Sequence, residues 1–153
     1  MPMRMRSPLP AFDGVETWLN GEPSAADLAG KPVLVHFWSL SCYLCHDTAA
    51  TVAQWRDTYG PQGLAVIAIH QPRSEDELDV AKVEADARDA MQITQPCAVD
   101  NAHILVERFE NQFVPAFYVF NRAHEMRHFK AGGQGLETVA TAIERVLNEE
   151  PED

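Results

Sequence analysis

Apolar residues fill five of the six positions from Val33 to Trp38, without alternating with polar ones. Such a run predicts a strand covered on both faces. From Leu44 the period changes. Leu44, Thr48, Val52, Trp55 and Tyr59 fall on one face of a helix, and Gly60-Pro61 supplies its stop. Leu64–Ile69 reads as a second buried strand. Ser74 and Glu77, three apart, form a capping-box pattern expected to open a helix through Leu78, Ala81 and Ala85 to about Met91. Ala98–Val99 suggests a short strand and Ile104–Glu110 a short helix. Ala116–Phe120 and Arg127–Lys130 read as two strands around an Asn-Arg turn region. Leu136, Val139, Ile143 and Leu147 mark a closing helix. This order predicts an α/β sandwich in which the first crossovers join parallel strands.

A chain of 153 residues fits a single domain, 1–153. Residues 1–14 are Pro-rich and expected to form an irregular N-terminal arm, and 149–153 a short acidic tail. Twelve Lys and Arg against 23 Asp and Glu leave a net charge of −11. That surface repels phosphate backbones and anionic headgroups, so neither nucleic acid nor a membrane is an expected partner. Arg4 and Arg6 are not followed by the apolar stretch of a secretory signal, so the expected location is cytoplasmic. Three cysteines are too few for an extracellular disulfide scaffold.

Two of them carry the chemistry, in Trp38-Ser39-Leu40-Ser41-Cys42-Tyr43-Leu44-Cys45-His46. A buried strand runs into Cys-x-x-Cys, and a helix begins at its first cysteine. Reactive groups collect at the carboxyl ends of strands in open α/β sheets. The free N–H groups and dipole at a helix N-terminus favour a thiolate on Cys42. Cys45, one turn on, is within disulfide reach, so Cys42 can attack and Cys45 resolve. Three other readings use the same residues. Cys-x-x-Cys-His is also the haem-attachment pattern, but here it follows a core strand. A zinc site would need two more ligands, and Cys97 with scattered histidines shows no recognisable spacing. A peroxidase would place its cysteine at the same point of a related fold.

The stretch Lys31–Cys45 is similar to the active-site segment of thioredoxin-like thiol–disulfide oxidoreductases, and Val114-Pro115-Ala116 resembles their cis-proline loop. Trp18–Gly21, His36–Ser39, Pro72–Asp76, Val114–Phe120 and Arg127–Gly133 look like a small bacterial cytosolic branch of the TlpA/ResA-like thioredoxin superfamily. The resemblance implies a thioredoxin fold, a central mixed β-sheet sandwiched by α-helices, with a short N-terminal extension. It implies exchange with protein disulfides through Cys42 and Cys45, with Pro115 beside them. It also implies no bound cofactor, a monomer, and a protein reductase for regeneration. Tyr43-Leu44 stands where thioredoxin has Gly-Pro. Thr48 stands where cytochrome-maturation relatives often carry glutamate. His36 takes the place of a buried aspartate; it is either a hydrogen-bonded core residue or the base that takes the Cys45 proton. His46 and Asp47 read as solvated cap residues. His70 ends a strand on the active-site side. Cys97 reads as a small buried core residue and Trp38 as a packing wall.

Overall fold

The computed structural model describes residues 3–149. Of the expected acidic tail, only Glu149 falls within them. The strands are β1 (Thr17–Leu19), β2 (Val33–Trp38), β3 (Ala65–His70), β4 (Cys97–Val99), β5 (Ala116–Phe120) and β6 (Met126–Ala131). The helices are α1 (Ala25–Leu28), α2 (Tyr43–Tyr59), α3 (Val80–Asp89), α4 (Ile104–Arg108) and α5 (Glu137–Asn148). One sheet runs in the order β1-β4-β3-β2-β5-β6. β2 pairs in parallel with β3, and β3 with β4, while β1, β5 and β6 pair antiparallel with their neighbours. The sheet is therefore mixed.

The period-2 geometry of a strand explains the unbroken run in β2. Val33, Val35 and Phe37 point to one face and meet Phe12, Leu28 of α1, and Leu105 and Phe109 around α4. Leu34 and Trp38 point to the other, Leu34 toward α2 and α5 and Trp38 toward α2 and α3. Both faces are covered, so alternation has no reason to appear. The N-terminal arm lies along β6, with Arg6 N–H donating to the Met126 carbonyl and Leu9 N–H to that of His124. Its described residues form no helix or strand, only an isolated bridge from Pro8 to Glu125.

The predicted capping box is corrected. Ser74 makes no side-chain cap; residues Glu75–Leu78 form a 3₁₀ turn, and α3 begins only at Val80. Asp79 caps it, accepting from the N–H groups of Ala81 (3.0 Å) and Lys82 (3.4 Å). Glu77 turns inward instead and is buried. Gly63, at φ +112°, takes the left-handed conformation that leads from the helical segment into β3.

Candidate active site

β2 ends at Trp38 and α2 begins at Tyr43, so residues 39–42 form the turn between them. Cys42 is the N-cap of α2, in extended conformation, and its Sγ accepts the Cys45 N–H at 3.0 Å. The helix therefore aims a free backbone donor at the first sulfur, the arrangement that stabilises a thiolate. Cys42 and Cys45 are joined as a disulfide with their Cα atoms 5.2 Å apart. They are 4% and 1% exposed, whereas Tyr43 between them is 79% exposed. The Val114–Pro115 peptide is cis. Val114 packs against the cluster that contains both cysteines, and Phe113 before it is 58% exposed. The seat of the pair is flanked along the chain by exposed apolar side chains, Tyr43 and Leu44 between the cysteines and Phe113 next to Val114.

Hydrogen bonds between distant parts of the chain fix this seat. Ser39 Oγ donates to the Gln71 carbonyl just past β3. Asn111 donates to Gln71 Oε1 (2.8 Å) and to the Phe113 carbonyl (2.8 Å), and it accepts from the Tyr118 hydroxyl (2.8 Å). Glu77 supports the turn from below. Arg73 Nε donates to Ser41 Oγ (3.1 Å), so the Ser41 hydroxyl proton is directed to Glu77 Oε2 (2.8 Å). Leu40 N–H donates to Nε2 of His70 (3.3 Å), which lies 3.5 Å from Glu77 Oε1. Burial pushes His70 down to about 4, against the opposing pull of Glu77 and Asp86, so its imidazole is neutral near neutral pH. Its Nδ1 is buried with no partner among the described residues. Trp38 packs edge-on against His70, with ring centroids 4.8 Å apart.

His36 sits deeper in β2, buried and stacked near Phe117. Arg56 donates to Gln95 Oε1 (2.9 Å), which turns the Gln95 amide nitrogen toward His36 Nε2 (2.9 Å). Nε2 is therefore the acceptor, and the proton resides on Nδ1. Burial, helped by the Arg56 charge, lowers His36 to about 3. Among the described residues no hydrogen bond joins it to either cysteine. Cys97 is fully buried, and desolvation pushes its thiol up to about 12.

His46 departs from the solvated cap read from the sequence. Its Nδ1 lies 2.7 Å from the Cys42 carbonyl and its Nε2 2.7 Å from Asp86 Oδ2 on α3. Sequence reasoning read Glu77 only as half of a capping box and did not single out Asp86. Their contacts to the active-site segment span 36 and 40 residues of chain, and no local spacing signals them. No group of three or more potential metal ligands occurs among the described residues.

A dithiol–disulfide pair at a strand-to-helix junction, beside a cis-proline loop on a mixed sheet, defines a thioredoxin-like thiol–disulfide oxidoreductase. Comparison places this chain in the AhpC/TSA family, to which it belongs by a match over residues 5–129. It is 47% identical over 148 residues to the thiol-disulfide oxidoreductase YkuV of Bacillus subtilis, covering 96% of this chain and 99% of that one. A thioredoxin-like protein solved in the oxidized form is 46% identical with a TM-score of 0.84, covering 95% of this chain and 97% of its own. Protein DipZ of Mycobacterium bovis is 31% identical over 92% of this chain, which spans 21% of DipZ. Activity as a thiol–disulfide oxidoreductase and the thioredoxin-like fold both follow from these likenesses and the Cys42–Cys45 pair.

Proposed function

We propose that this oxidoreductase reduces protein disulfides in the cytosol, acting as a monomer with Cys42 as nucleophile and Cys45 as resolving thiol. The observation that carries the order of events is the Cys45 N–H aimed at Cys42 Sγ from the first turn of α2. In the reduced protein the Cys42 thiolate attacks one sulfur of a substrate disulfide, forming a mixed disulfide and releasing the other sulfur as a thiolate, which takes up a proton. Cys45 then loses its proton, attacks Cys42 Sγ and releases the second substrate thiol. Two electrons pass to the substrate, and the Cys42–Cys45 disulfide remains. A protein reductase supplies two electrons and two protons to restore the dithiol. No resident cofactor enters the cycle.

The exposed apolar side chains of Tyr43, Leu44 and Phe113 suit an extended apolar segment flanking the substrate disulfide. The Val114 backbone beside Pro115 offers strand-like pairing to such a segment. A cytosolic setting agrees with a core that is built without any staple besides the Cys42–Cys45 bond and keeps Cys97 as a buried thiol. Cys45→Ser tests the reading, because it removes the resolving thiol and is expected to trap substrates on Cys42. Recovery of protein partners through Cys42 supports disulfide reduction. Rapid consumption of peroxide, with no protein captured, would move the protein to the peroxidase class.

A further inference from the structure

The two partners of His46 can only accept. One is a backbone carbonyl, that of Cys42, and the other the carboxylate of Asp86, each 2.7 Å from a different ring nitrogen. Both nitrogens must therefore donate, and the ring that satisfies both is the imidazolium. We propose that His46 is a positioning residue, a cation clamped between the active-site peptide and α3 that favours the Cys42 thiolate and so sets the redox poise of the pair. The proposal rests on the dithiol mechanism given above.

The placement is specific. His46 is the residue after Cys45, in the first turn of α2, and its own N–H also donates to the Cys42 carbonyl (3.3 Å). Its side chain keeps 29% of its exposure and that of Asp86 keeps 23%, so solvent screens the pair only in part. Burial alone would lower the imidazole, but the Asp86 and Cys42 hydrogen bonds and the Asp86 charge outweigh it and raise the pKa above the ordinary histidine value. The charged neighbours are few. Asp86 comes from α3, and exposed Asp47 follows on the same helix. His70, from β3, is neutral and shares the field of Asp86. A positive charge fixed one turn from a thiolate stabilises the reduced, ionised state and makes the protein a weaker reductant.

The test uses the whole chain and two readouts, the pH dependence of Cys42 alkylation by iodoacetamide and the equilibrium of the pair with glutathione. His46→Gln keeps a polar side chain and removes the charge. It is expected to raise the Cys42 pKa and to shift the glutathione equilibrium about three- to tenfold toward the protein disulfide. The difference from wild type should close at high pH, where His46 itself loses its proton. His46→Lys restores a cation and should return both readouts toward wild type. Asp86→Asn, which leaves α2 untouched, removes the carboxylate that raises the His46 pKa, so the pH at which the His46 contribution fades should move down; an unmoved profile would overturn the clamp. If His46→Gln changes urea stability while leaving both readouts at wild-type values, or if lysine fails to rescue, the proposal is wrong. Wild-type protein that equilibrates with glutathione but reduces no protein disulfide would instead overturn the function proposed above.

Discussion

At the scale of single residues, the two sulfurs divide the reaction between them. Cys42→Ser is expected to abolish dithiothreitol-driven reduction of a protein disulfide such as insulin. Cys45→Ser should still attack and accumulate mixed disulfides, visible on non-reducing gels; wild-type turnover by Cys42→Ser would refute this order. His36 is a different case. Its acceptor nitrogen is held by Gln95, and its low pKa of about 3 keeps it neutral. His36→Asn is expected to cost about 1–3 kcal/mol by leaving Gln95 without its partner. Stopped flow should find the resolution rate within about threefold of wild type, whereas a loss near a hundredfold would identify a general base. The cysteines were readable because Cys-x-x-Cys is a local signature, and Pro115 because Val114-Pro115-Ala116 resembles the loop of thioredoxin-like proteins. The contact of Glu77 with the active-site turn and the clamp of Asp86 on His46 were not, because side chains from elements far apart in the chain meet only once the sheet is assembled.

Elements showed the same division. β2, β3, β5, α2 and α5 carry long apolar runs or clear helical stripes, and their expected and observed bounds agree within a residue or so. β1 and α1 have three and four residues, too few for any period to show. The start of α3 was misread because Ser74 and Glu77 have capping-box spacing. The buried turn under Cys42 holds Glu77 instead, through the Ser41 hydroxyl and the Arg73 N–H. Two alanine substitutions separate the alternatives. Asp79→Ala removes the observed cap and should cost about 1 kcal/mol in urea unfolding. Ser74→Ala should be close to neutral, since its hydroxyl caps nothing. Equal costs, or a larger cost at Ser74, would contradict the observed helix start.

For the molecule as a whole, two buried histidines set the acid limb of stability. His36 and His70 fall to about 3 and about 4 in the fold, below the ordinary value of 6.5. Below pH 6.5 the unfolded chain binds protons that the folded chain refuses, so stability present at neutral pH is lost as the pH falls. Each contributes a slope of up to about 1.4 kcal/mol per pH unit, which levels off near its folded value. His46 has the opposite sign: its raised pKa adds stability at low pH that fades as the pH rises through that value. Urea midpoints should therefore drop from pH 7 to pH 5, and His70→Gln should flatten the drop; a midpoint independent of pH would contradict this account. Cys97 lies in the same interior, paired across the sheet with Leu19 and Ala68. With its thiol at about 12 and no exposure, it can attack a disulfide reagent only when the strands around it separate. Reduced protein should thus surrender two thiols to Ellman's reagent promptly and the third slowly. The ratio of that slow rate to the rate for an unstructured thiol gives the fraction of molecules open at any instant. The chain carries its own gauge of rare unfolding, readable without denaturant and without an added label site.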